Sequence, residues 1–143
     1  MAIVGIGTDI VEIVRLESSL EKSDSLAKRV LNETEFRDFM QLSKLSGVLT
    51  RDNQVNTSVA KQCRFLAKRF AAKEAAVKAI GNGIGNGVSW HQIEVAHYET
   101  GQPFLKVTGR LKELFEEKGV TGAHLSISDE QNYAVATVIL EAG

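Results

Sequence analysis

The first thirteen residues alternate small and β-branched side chains. In "GIGTDIVEI", residues 5–13, Ile6, Ile10, Val11 and Ile13 read as interior positions, so residues 2–13 predict a strand. Leu16, Leu20, Leu26, Val30 and Leu31 then recur at helical spacing, which predicts one bent helix or two short ones over 15–31. Asn32 and Glu35 have the spacing of an N-cap and capping box, and Phe36, Phe39, Met40 and Leu42 carry the next helix to about residue 45. The stretch "SGVLTRDNQVNTSVAK", residues 46–61, is polar and aperiodic and predicts a loop, long for a compact domain. Residues 63–80 form the clearest helix, stopped by Gly81 and followed by the glycine-rich "GNGIGNG" of residues 81–87. Residues 90–97 and 103–108 read as strands joined through "ETGQP". Residues 110–118 read as a short amphipathic helix ended by Gly119, and residues 123–128 and 133–140 as a hairpin around "DEQN". Helices mixed with antiparallel hairpins predict an α+β fold, an antiparallel sheet packed against a long helix, in a single domain over 1–143 without repeats or linker.

Composition narrows this picture. With 143 residues, 43% of them hydrophobic, the chain builds a core, but one small enough that oligomerisation would add useful burial. A formal net charge of −1 provides no global basic field for nucleic acid. The single cysteine, Cys63, forms no intrachain disulfide and suits a reducing compartment. No apolar run approaches the ~20 residues that cross a bilayer, and no signal peptide is recognisable, so a cytoplasmic protein with no membrane partner is expected.

Two carboxylates break the hydrophobic pattern. Asp9 shares a strand face with Ile3, Val11 and Ile13 by alternation. Along the long helix, Cys63, Leu66, Phe70 and Val77 form an apolar stripe, and Glu74 falls about 40° from Phe70, at the border of that stripe. An unpaired buried carboxylate is costly. One reading makes Asp9 a turn hydrogen-bond acceptor and Glu74 the partner of Lys78 in a surface i,i+4 pair. The other has the two carboxylates share a cation, and oxygen-only ligands favour Mg²⁺ over zinc.

Elsewhere, "HLSIS" places His124, Ser126 and Ser128 on one strand face, able to donate to phosphate, or simply a solvated edge. The glycine loop follows a helix rather than opening one, so it is neither a Walker loop nor a dinucleotide fingerprint. Arg64, Lys68, Arg69 and Lys73 read mostly as a solvated face. Arg15, Lys28 and Arg29 could meet an acidic partner. His91 and His97 have no ligand partner at useful spacing, and Trp90 reads as a strand anchor in the core.

Taken together, "GIGTDIVEIVRL", "RFLAKRFAAKEAAVKAIGNGIGNG", "TGQPFL" and "HLSISDEQNYAVATVILE" resemble, in order and spacing, the holo-[acyl-carrier-protein] synthase family, the short bacterial 4′-phosphopantetheinyl transferases. The resemblance implies the 4′-phosphopantetheinyl transferase-like fold and a homotrimer with active sites between subunits. It implies Mg²⁺-dependent transfer of 4′-phosphopantetheine from coenzyme A to a serine hydroxyl of apo acyl carrier protein. Adenosine 3′,5′-bisphosphate would be released, and the reaction would support fatty acid biosynthesis. By motif, Asp9 and Glu74 correspond to the metal ligands and Lys78 to the active-site lysine. Gly81, Gly83, Gly101, Pro103, His124, Ser126 and Ser128, together with Lys78, correspond to coenzyme A contacts, and Arg15 and Arg29 to the carrier-docking positions. The general base stays open, with Glu74 a candidate. Residues 46–61 read as a peripheral insertion relative to the family, and Asp129 stands where some relatives carry histidine. Two other classes compete: a non-catalytic coenzyme A-binding module, which would bind without turnover, and the broader-specificity transferases, which are about twice as long and carry each motif in a pseudo-dimer.

Overall fold

The computed structural model describes residues 1–44 and 57–143. β1 (Ala2–Glu12) leads into α1 (Ile13–Lys22), α2 (Ser25–Val30) and α3 (Glu33–Lys44). The long α4 (Thr57–Ile80) follows, then β2 (Ile93–His97), β3 (Pro103–Val107), α5 (Gly109–Glu117), β4 (Val120–Asp129) and β5 (Tyr133–Ala142). β1, β5 and β4 form an antiparallel sheet in that order, and β2 and β3 pair separately as a hairpin. The α+β class and the sheet-on-helix arrangement agree with the sequence reading. Among the described residues no helix is long and apolar enough to cross a membrane.

Several boundaries differ from expectation. Helix α4 starts at Thr57, so residues 57–61, read as loop, are helical. That turn is held by tertiary contacts rather than periodicity: Val59 packs on the core and Gln62 Nε2 donates to Phe39 O at 3.1 Å. Residues 46–56 of the expected insertion lie outside the described residues. The 15–31 region resolves into two helices, α1 and α2, and Trp90 sits in a 3₁₀ turn, Trp90–Gln92, that precedes β2. The capping box forms as expected, with Asn32 N donating to Glu35 Oε1 at 3.0 Å and Glu35 N to Asn32 Oδ1 at 2.9 Å. Gly81, at φ 79°, closes α4 in a Schellman turn, with Asn82 N donating to Val77 O at 3.2 Å and Gly81 N to Lys78 O at 3.2 Å.

The largest difference concerns β1. Ile6 and Ile10 are exposed (67% and 63%), and the inward positions are Gly5, Gly7, Asp9 and Val11. The cause is the closeness of α4, whose Ala75 and Ala79 press on the strand backbone. A methyl group at Gly7 would lie 2.0 Å from Ala75 O, and one at Gly5 2.0 Å from Ala79 O. Branched side chains have no room there and face outward. A register shift between Ile3 and Gly5 also turns Ile3 to the outer face, opposite Glu141, so it does not share a face with Asp9. Helix α4 is enclosed by the sheet on one side and by α1 and α3 on the other, with Leu66, Ala67, Ala71, Ala72, Ala75, Ala76 and Ile80 buried. Lys73, read as part of a solvated face, is fully buried as well.

The β4–β5 turn is tied to α4 by Arg64, which donates to Asp129 Oδ2 at 2.8 Å, Glu130 O at 2.7 Å and Gln131 O at 3.2 Å. Asp129 thus has a structural partner, with Lys68 at 3.7 Å as a second. Arg64→Ala is expected to lower stability by about 1 kcal/mol, since the cluster is half-exposed. Urea denaturation at low and high salt checks this, the loss being smaller at high salt.

Candidate active site

The close approach of glycine strand to alanine helix sets one acidic side chain from each element side by side. Asp9 is the next inward residue after Gly7, and Glu74 precedes Ala75, which Gly7 touches. Lys78, one turn after Glu74, donates from Nζ to Asp9 Oδ1 at 2.9 Å and to Thr8 O at 3.1 Å. The Glu74–Lys78 surface pair of one sequence reading gives way to a Lys78–Asp9 pair across the two elements. The Glu74 carboxyl is pushed above its usual range, first by burial and then by the charge of Asp9, with Lys78 opposing. A groove of about 350 Å³ opens over the pair, lined by Arg15, Leu16 and Phe70 among others.

This acidic pair fits a hard divalent cation. Among the described residues no three acidic, histidine or cysteine side chains converge into a closed cage. Two carboxylates with open positions suit Mg²⁺, which keeps water or phosphate oxygens in its remaining coordination sites.

A second groove of about 360 Å³, lined by Leu16, Leu26, Arg29, Val30, Phe70 and Trp90, adjoins the first through Leu16 and Phe70. Phe70 stacks on Trp90 with ring centroids 5.3 Å apart. Arg15 stands at the mouth of the first groove, its side chain 81% exposed and 3.3 Å from Glu12, and Arg29 lines the second. Arg15 thus lines the groove over Asp9 and Glu74, and Arg29 lines the neighbouring groove that shares the Leu16 and Phe70 walls. The sequence reading missed Phe70 and Trp90 as groove walls. Their separation along the chain hides the stacking, and only a helix-period aromatic at Phe70 hinted at it.

His124, Ser126 and Ser128 do not join the acidic pair within this chain. In the ladder, His124 stands opposite Ile139, Ser126 opposite Thr137 and Ser128 opposite Val135, and these β5 residues pair with Ile6, Thr8 and Ile10 of β1. All lie on the outer sheet face, away from α4, whereas Asp9 faces inward. His124 Nε2 contacts Glu141 Oε1 there. Gly81 and Gly83 lie in the exposed loop after α4, Gly81 serving its cap. Gly101, at φ 88°, turns the β2–β3 hairpin, and Pro103 pairs with His97. On β2 of that hairpin, burial first, and then the charges of Arg69 and Lys68, hold the His97 imidazole below its usual range. Half-buried Arg69 stacks over Phe65 at 3.5 Å. This basic cluster was not visible in the sequence, where the helix cations read mostly as a solvated face.

A small α+β domain with an acidic pair between its first strand and a long helix defines a class. Residues 5–138 match the family model described as the 4′-phosphopantetheinyl transferase superfamily. A holo-[acyl-carrier-protein] synthase from Pseudoalteromonas atlantica is 49% identical over 142 residues, covering 99% of each chain. Among solved structures, the holo-[acyl-carrier-protein] synthase of Neisseria meningitidis superposes with a TM-score of 0.80 at 36% identity, over 98% of this chain and 99% of that one. The Bacillus anthracis synthase, described as in complex with CoA (3′,5′-ADP), superposes with a TM-score of 0.72 at 36% identity, over 99% of this chain and 98% of that one. The chain belongs to the holo-[acyl-carrier-protein] synthase family and is accordingly an enzyme of the phosphopantetheinyl transferase type.

Proposed function

We propose that the protein transfers 4′-phosphopantetheine from coenzyme A to a serine hydroxyl of apo acyl carrier protein, in support of fatty acid biosynthesis in the cytoplasm. The observation that carries this reading is the Asp9–Glu74 pair, with Lys78 beside it, at the floor of an open groove. In the transfer, the serine Oγ–phosphorus bond forms as the phosphoanhydride bond to the leaving adenosine 3′,5′-bisphosphate breaks. Asp9 and Glu74 would hold Mg²⁺, which when bound neutralises charge on the pyrophosphate oxygens. Lys78 supplies a second positive charge, or a proton, on the leaving side. Glu74 is the candidate acceptor of the serine proton, directly or through water. The exposed Arg15 and Arg29 present cations to the acidic carrier.

A homotrimer with sites between subunits is part of this reading. Its support is the outer sheet face, where exposed Ile6 and Ile10 on β1 lie across β5 from the row of His124, Ser126 and Ser128 on β4. A second copy covering this face would bury the isoleucines and could bring the polar row to a neighbour's Asp9 and Glu74. Ile6→Glu is therefore expected to give a monomer with transfer reduced at least about 10²-fold, since an incomplete site loses its positioning contacts. Light scattering and activity on the same sample check this, and an active monomer would refute it.

The test of the function is the intact mass of apo acyl carrier protein after incubation with coenzyme A, Mg²⁺ and this protein. The expected result is a gain of one phosphopantetheine that EDTA abolishes. Coenzyme A binding with no gain would favour the non-catalytic module instead.

A further inference from the structure

We propose that the buried Glu35–Lys73 pair is a positioning device, setting the Arg29–Trp90 wall of the groove against the helix that carries Glu74. The proposal rests on the reading that the carrier docks along Arg15 and Arg29.

Lys73 on α4 is 0% and Glu35 on α3 is 2% exposed, and the other buried positions of α4 are mostly alanine. A buried ion pair is at best near break-even with an apolar pair of similar volume, so core packing alone does not account for it. What the pair adds is direction. Lys73 Nζ donates to Glu35 Oε1 at 2.5 Å, to Val30 O at 2.7 Å and to Trp90 O at 3.3 Å, which uses all three of its protons. Glu35 also accepts from Asn32 N and Val95 N, each at 3.0 Å. The partners come from the end of α2, the cap of α3, the 3₁₀ turn and β2; these segments are tied to one another by His91 Nε2, 2.7 Å from Lys28 O, and by Asn32 Nδ2, which donates to Glu94 Oε1 at 2.8 Å, and Lys73 ties the group to α4.

Two of those partners line the carrier-side groove. Val30 follows Arg29, and Trp90 stacks on Phe70, which borders both grooves. Lys73 is the neighbour of Glu74 in the chain. A shift of the pair therefore moves the Arg29–Trp90 wall relative to Glu74. Asp9 stays in place, because Gly5 and Gly7 seat its strand on α4 independently. The consequence is selective: carrier recognition suffers while the coenzyme A side is spared.

Glu35→Gln keeps the shape of the side chain and removes its charge. The double variant Glu35→Gln/Lys73→Met also removes the ammonium that the single variant leaves unpaired. Steady-state kinetics on both, with Arg29→Glu alongside and melting curves for each, make the test. The expected result is a rise of about tenfold in KM for the carrier in whichever variant folds. KM for coenzyme A and kcat at saturating carrier should stay within about twofold of the parent. Unchanged carrier KM in a folded variant overturns the proposal, as does a parallel loss on both substrates or failure of both variants to fold, either of which would make the pair a plain core element. If Arg29→Glu itself leaves the carrier KM unchanged, the docking reading fails, and this proposal with it.

Discussion

Glu74→Gln is expected to melt above the parent protein in EDTA at neutral pH, and with Mg²⁺ present its transfer rate should fall at least about 10²-fold. Both effects come from one placement. The Glu74 carboxyl is half-buried beside Asp9, and burial and that neighbouring charge hold it above its usual range. A carboxyl raised in the folded state favours folding below its unfolded pKa, and that contribution is lost as pH rises through the folded value. At neutral pH the metal-free parent therefore carries a destabilising charge, and glutamine, which mimics the protonated form, removes it. The gain should be about 1–3 °C, and it should vanish in acid, where the parent carboxyl is itself protonated. Mg²⁺ should raise the melting temperature of the parent and leave that of Glu74→Gln nearly unmoved, since a cation that binds only the folded state stabilises it. Scanning calorimetry at two pH values, with and without Mg²⁺, checks the stability half and the carrier mass assay the catalytic half. A variant retaining a tenth of the parent rate would exclude an essential role for Glu74.

Gly7→Ala should be more damaging to the fold and comparably damaging to activity. The backbone at Gly7 has no positive φ that would exclude alanine. Space alone forbids the methyl, which would meet Ala75 O at 2.0 Å and Ala79 N at 2.7 Å, both backbone atoms of a helix enclosed on both sides. Strand and helix must separate. Overpacking of this kind costs about 1–3 kcal/mol or more, which lowers the melting temperature by roughly 5–10 °C in a chain of this size. Asp9 lies two residues along the same strand, so the separation also opens the acidic pair. Activity should fall well below the folded fraction, even at temperatures where the variant is native. Gly83→Ala is the stability control, because a methyl there meets nothing within 4 Å. If Gly7→Ala melted with the parent, the tight packing would not be what holds the site.

Much of this was legible beforehand, for reasons that can be named. The capping box at Asn32 and Glu35, the stop at Gly81 and the final hairpin depend on bonds between residues a few positions apart, so short motifs report them. Asp9 and Glu74 stood out because a carboxylate inside an apolar pattern must be compensated. Misreadings arose where one element decided the surroundings of another. Ile6 and Ile10 have the pattern of interior residues, yet α4 leaves room only for glycine on that side. Lys73 has the pattern of a surface cation, yet the acceptors that make its burial possible come from Val30, Glu35 and Trp90.

The sequence by itself determined most of the elements, their caps and the α+β class, and marked Asp9 and Glu74 as carboxylates in need of a partner, because these follow from local hydrogen bonding and from hydrophobic period. Tertiary structure alone decided that Lys78 turns to Asp9 rather than to Glu74. It decided that "HLSIS" faces away from the acidic pair, and that the Arg15 and Arg29 grooves share the walls of Leu16 and Phe70. Those outcomes depend on which face of each strand and helix meets which neighbour. That choice is made by steric fit between backbones distant in the chain, such as Gly7 against Ala75, which no local pattern encodes.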